Sequence, residues 1–145
     1  MVVNIEALVL AVALSIHSYW DLRYRRIPIV VTVIAGGIGL LCRMMAGAEL
    51  TEILWGLLPG VICLGIGRIT REAIGYGDGF LLCAMGMILP VDQVLSVGLI
   101  AVCLAGLCGL FLLVIGRKGR KDTLPFVPFL LVAYFLHCVG HMCAG

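Results

Sequence analysis

The sequence predicts an all-α polytopic membrane protein of six transmembrane helices, on three observations: its composition, the length of its apolar runs and the one-sided placement of its basic residues. Of 145 residues, 63% are hydrophobic and 12% charged, about half the charge of an ordinary soluble domain. Apolar runs of roughly 17 to 25 residues, enough as helix to cross a hydrocarbon core of about 30 Å, follow one another with short polar breaks. A chain in lipid must satisfy its own backbone hydrogen bonds, and strand alternation is missing, so each run is expected to be helical. Residues 1–145 are expected to form a single transmembrane domain.

The first run, Ile5 to Trp20, reads as a retained helix and not a secretory signal, because Glu6 replaces the expected basic start and no small-residue cleavage site follows. Apolar stretches and breakers then place helices near residues 4–20, 27–45, 52–68, 74–90, 94–116 and 124–143. The breaks are Asp21 to Arg26, Ala46 to Thr51, Ile69 to Ala73, Pro90 to Gln93 and Arg117 to Thr123.

Six crossings put the loops after the first, third and fifth helices on one face. Those loops hold Arg23, Arg25, Arg26, Arg71, Arg117, Lys118, Arg120 and Lys121, with Arg68 at the edge, leaving only Arg43 of the ten basic residues towards the other side. Glu6, Glu49, Glu52 and Asp92 collect opposite them. The basic loops are therefore expected in the cytoplasm and both termini outside it, in a cytoplasmic membrane. One crossing more or fewer in the middle would scatter the arginines over both faces.

Glycines fall in the helices at Gly36 and Gly37, Gly60 and Gly65, and Gly106 and Gly109, a density that permits close helix approach. Cys42, Cys63, Cys83, Cys103, Cys108, Cys138 and Cys143 form no Cys-x-x-Cys pair, and most lie in apolar runs, so they are read as small packing residues.

Two carboxylates fall at the basic face. Asp21 follows the first helix, and Asp78 stands in Gly75-Tyr76-Gly77-Asp78-Gly79, about one turn inside the fourth, where an ionised side chain is expensive. Held together, two carboxyl groups share one proton: the ionised member takes a proton from water while its partner polarises a carbonyl. This is the chemistry of aspartyl proteolysis, which needs no cofactor. Gly75, Gly77 and Gly79 let the backbone come close to a neighbour. The plainer alternative makes Asp21 a cap or the partner of Arg23, Arg25 or Arg26, and Asp78 a helix cap.

The surrounding sequence resembles the prepilin peptidase family, the membrane aspartic peptidases with a Gly-x-Gly-Asp motif. Asp21-Leu22-Arg23-Tyr24-Arg25-Arg26-Ile27-Pro28 is similar to the first-aspartate segment, with Ile27 and Pro28 at the family's spacing. Gly75-Tyr76-Gly77-Asp78 is similar to the second. Leu124-Pro125-Phe126-Val127-Pro128-Phe129-Leu130 resembles the Pro-Phe-Gly-Pro-Phe start of the last helix, carried here by Pro125, Phe126 and Pro128. Ile29 stands where the family usually has Asn, Phe80 where it often has Lys, and Val127 where it has Gly.

The resemblance implies a six-helix Gly-x-Gly-Asp peptidase core with Asp21 and Asp78 catalytic and facing the cytoplasm. It implies cleavage of the short basic leader from pilin-like precursors of type IV pilus and secretion systems. Larger members carry a domain with Cys-x-x-Cys pairs and methylate the new N-terminus; peptidase activity alone is expected here.

His17, four residues before Asp21, would share its face if the first helix continued that far; a histidine serving helix packing is the commoner meaning. His137 and His141 are also four apart, but no companion of metal-site spacing accompanies them, and no metal is expected. The Arg117 to Lys121 cluster reads as a topological signal that also meets lipid headgroups. Trp20 and Tyr24 suit an interfacial belt. Nothing in the sequence points to a nucleic-acid partner or fixes an oligomeric state. The competing functions are a proton-coupled transporter, for which duplicated halves with broken helices are missing, and a catalytically silent scaffold of the same fold.

Overall fold

The computed structural model describes residues 5–24, 26–69, 76–116 and 124–144. Among them the secondary structure is entirely helical, in the order α1 (Ile5–Tyr24), α2 (Ile29–Met45), α3 (Leu50–Ile69), α4 (Tyr76–Ile88), α5 (Val91–Val114) and α6 (Val127–Ala144). By length and composition α1, α3 and α5 can each cross a membrane, while the apolar parts of α2, α4 and α6 are shorter. Gly75, Arg25, Arg71 and the Arg117 to Lys121 cluster lie outside the described residues.

Several expected boundaries are corrected. The first helix does not stop at residue 20 but runs through Asp21 to Tyr24. Polarity marks an end at Asp21, yet Asp21 to Tyr24 contains no helix breaker; the nearest one is Pro28. That proline, extended at φ −70°, is the N-cap of α2, which therefore starts at Ile29 and not at residue 27. Pro90 caps α5 in the same way, so the connection expected over Pro90 to Gln93 contracts to Leu89 and Pro90. The last helix begins at Val127, after Leu124, Pro125 and Phe126, and accommodates Pro128 in its first turn, where a missing N–H is harmless.

The central element is α4, packed against α3, α2 and α5. Its 13 residues rise only about 20 Å, and Gly79, Leu81, Ala84, Met85, Gly86 and Ile88 are buried. Leu81, Met85 and Ile88 join Leu10 and Leu14 of α1, Val94, Val97 and Ala101 of α5, and Leu130, Ala133 and Tyr134 of α6 in one apolar core. On the outside stand Val30, Leu54, Val61, Leu99 and Phe111, all more than half exposed; a surface so apolar suits lipid and not water.

Glycine sets the closest crossing. A methyl group on Gly86 would run into the Gly56 carbonyl, and one on Gly56 into the Gly86 carbonyl. Gly36 meets Ala84 and Met87, and Gly60 meets Cys83, whereas Gly37, Gly65 and Gly106 have open space. The glycine density thus marks real helix contacts at only some of its positions.

At one end of the bundle buried Arg43 donates from Nη1 to the Leu89 carbonyl at 3.3 Å and pairs through Nη2 with Glu52 Oε2 at 3.4 Å. It ties together the last turn of α2, the end of α4 and the first turn of α3. Tyr134 donates to the Ala7 carbonyl, joining α6 to the start of α1. Asp21, Ile27 and Asp78 occupy the opposite end.

Candidate active site

Each side chain at this end is placed by a helix terminus. Asp21 lies in the last turns of α1, half-buried, and its Oδ2 accepts a hydrogen bond from the Val127 N–H at 3.1 Å. Val127 is the first residue of α6, so its N–H belongs to the orphan donors of a helix start, where partial positive charge collects. Pro128 has no N–H of its own, and Phe129 N–H already bonds the Phe126 carbonyl. Asp21 does cap a helix, therefore, and that helix is α6.

Asp78 lies in the first turn of α4, also half-buried. The two carboxylates are close enough for the Asp21 charge to act on Asp78. Ile27 fits against the turn that carries Asp78: a methyl group on Gly77 would stand 2.7 Å from Ile27 Cδ1, and one on Gly79 2.7 Å from Leu64. The short residues around Asp78 thus admit Ile27, just ahead of α2, on one side and Leu64 of α3 on the other. Pro28 follows Ile27 and turns the chain into α2. Pro125 and Phe126 precede the Val127 donor, and Phe126 also packs against the core.

Sequence reasoning did not bring Val127 to Asp21, Cys63 to Asp78, Cys83 to Cys63 or Thr32 to His17. The Val127 N–H is a backbone group, invisible to residue type. Cys63 of α3 lies near Asp78, and Cys83 of α4 near Cys63. Thr32 of α2 bonds His17, which is fully buried. His17 and Asp21 do share a helix, and His17 is engaged as a buried packing residue.

The type IV leader peptidase family model matches residues 8–110, more than half of the chain and including both aspartates. The chain belongs to the type IV leader peptidase family. Membership makes it a peptidase with a protein substrate, and its long apolar helices fit a membrane enzyme. No match is found among curated proteins or among solved structures. The matched stretch ends within α5, so Pro125, Phe126 and Pro128 lie beyond it, although Val127 reaches back to Asp21 from there. Of the departures from the leader peptidase pattern, Ile29 and Phe80 expose their side chains, at 60% and 48%, and Val127 is fully buried.

The cysteines are free thiols, from exposed Cys103 and Cys143 to half-buried Cys42, Cys63, Cys83, Cys108 and Cys138. Trp20 and Tyr24 stack with ring centroids 5.0 Å apart on the outside of α1, at the end that bears Asp21. His137 and His141 meet edge to face, with ring centroids 4.9 Å apart.

Proposed function

We propose that this member of the family is a membrane aspartic endopeptidase that removes the basic leader of type IV pilin-like precursors at the cytoplasmic face, with Asp21 and Asp78 as its dyad. The observation that carries this reading is the placement of two half-buried carboxylates, Asp21 in the last turns of α1 and Asp78 in the first turn of α4, at one end of a leader peptidase bundle. All six helices are taken to span the bilayer as one unit, with the basic loops and the dyad inside and both termini outside.

The roles divide by environment. Asp21, which receives the Val127 N–H, is the ionised member, because a donor directed at a carboxylate favours its charged form. It takes a proton from water, whose oxygen attacks the scissile carbonyl. Asp78, beside it at the apolar start of α4, holds the shared proton and gives it to the carbonyl oxygen. Ile27, Pro28, Gly77 and Gly79 support the two aspartates; Gly75, Pro125, Phe126 and Pro128 complete the motifs. No cofactor takes part. These residues hold no Cys-x-x-Cys pair, and no methyltransferase activity is proposed for them.

The test is cleavage of pilin-like precursors by purified protein, comparing wild type with Asp21→Asn and Asp78→Asn at equal folded yield. Each substitution should lower turnover at least about a hundredfold, the low end of what a positioned acid or base supplies. Full cleavage by either folded variant would refute the dyad. Loss of proton-linked flux without any cleavage would favour the transporter instead.

A further inference from the structure

His17 is a polar group without an evident reason to be where it is. It is fully buried in α1, and Thr32, its partner from α2, is only 5% exposed. A ring so placed is costly in apolar surroundings unless both nitrogens are bonded. Nδ1 faces the Ala13 carbonyl, which can only accept, so Nδ1 carries a hydrogen. Nε2 lies 2.7 Å from Thr32 Oγ1. A bond between residues 15 apart in sequence thereby fastens α1 to α2 inside the bundle.

Both ends of that bond lead to the candidate site. On α1, His17 stands four residues before Asp21, one turn away along the same face. On α2, Thr32 stands one turn after Pro28; its single hydroxyl hydrogen goes to His17 Nε2, the acceptor nitrogen. Its backbone N–H, like that of Val31, bonds the Pro28 carbonyl. Next to Pro28 is Ile27, whose side chain abuts Gly77, the neighbour of Asp78. Three short steps of packing and hydrogen bonding connect Thr32 to the Asp78 turn, and one helical turn connects His17 to Asp21.

We propose that the His17–Thr32 hydrogen bond is a positioning clamp that sets the separation of the two aspartates by fixing α1 against the leading turn of α2. Both are positioning residues: His17 acts through Asp21 and Thr32 through Ile27. The proposal rests on the dyad reading for its catalytic consequence, while the clamp itself can be read out without catalysis.

Thr32→Val removes the hydroxyl at nearly unchanged shape, and His17→Ala removes the ring. In cleavage assays each should lower kcat by about 10- to 100-fold, the scale of an ångström-sized misplacement, with KM little changed. Thr32→Ser and His17→Gln, which keep a partner for the bond, should restore most of the rate. The double variant His17→Ala/Thr32→Val should be no slower than the worse single one, because both remove one interaction. Amide hydrogen exchange should accelerate over residues 27–32 in Thr32→Val and His17→Ala.

Wild-type kcat in the folded Thr32→Val variant, rate losses that multiply in the double variant, or unchanged exchange over residues 27–32 would each overturn the clamp. Asp21→Asn and Asp78→Asn run in the same assay separate the two ideas. If those variants still cleave, the dyad reading falls and exchange alone decides the clamp. If they are inactive while Thr32→Val and His17→Ala are fully active, the clamp alone falls.

Discussion

Replacing Gly86 with alanine tests whether the crossing of α3 and α4 holds the helix that carries Asp78 in place. The added carbon would meet the carbonyl of Gly56 and the Leu57 N. Both obstacles are backbone, so no side-chain rotation relieves them and the helices must separate. Overpacking of this kind costs about 1–3 kcal/mol, and the upper part of that range applies because the obstacle cannot yield. Lipid offers no hydrophobic force to close the gap again. Asp78 lies two turns earlier on the same helix, so displacement at residue 86 should also lower cleavage.

Unfolding of the purified protein in detergent, followed by circular dichroism, measures the loss. Gly65→Ala is the control: a methyl group there meets nothing within 4 Å, and helix propensity makes the change neutral or stabilising by up to about 1 kcal/mol. Gly56→Ala should resemble Gly86→Ala, since it strikes the Gly86 carbonyl from the other side. In the double variant the first separation makes room for the second methyl, so the losses should fall short of their sum by about 0.5 kcal/mol or more. Equal stability of Gly86→Ala and Gly65→Ala would refute the close crossing.

Two further outcomes follow from the opposite end and from the charge pattern. Arg43→Ala should destabilise by about 1.5–3 kcal/mol through loss of charged hydrogen bonds, whereas Glu52→Ala should cost at most about 1 kcal/mol because Glu52 is 59% exposed; equal losses in detergent unfolding would contradict this asymmetry. Reporter fusions after Arg71 and after Lys118 should report the cytoplasm and a fusion at residue 145 the outside; a cytoplasmic C-terminus would remove the six-span topology.

Much of the helix order was legible because apolar length and proline are local signals. Pro28 and Pro90 cap their helices within two residues of where the sequence put the breaks. The end of α1 is not legible, since Asp21 to Tyr24 is polar without being helix-breaking, and polarity alone does not end a helix. Glycine spacing was ambiguous for a similar reason. Gly36 and Gly60 meet α4 while Gly37 and Gly65 meet nothing, and only the rotation of each helix, fixed by its neighbours, separates the two kinds. The aspartates could be named because one lies in a short motif and the other before Ile27-Pro28. Two hydrogen bonds at this end could not: those from Val127 to Asp21 and between His17 and Thr32 join residues 106 and 15 positions apart, and no spacing rule reaches across a bundle.

Val127 shows why a departure from a family pattern need not disturb the chemistry nearby. Where the family has glycine, this chain puts a β-branched residue at the first position of α6, beside a candidate catalytic carboxylate. The side chain does not compete for that space; it is fully buried in the core with Leu130 and Ala133. What Asp21 receives is the backbone N–H, which valine supplies as well as glycine does. Proline at this position would remove the donor, whereas proline at 128 removes a donor Asp21 does not use. The pattern around α6 is thus read through its backbone: the start of the helix holds the carboxylate, Pro128 fits a first turn that needs no N–H there, and residue 127 is free to serve the core.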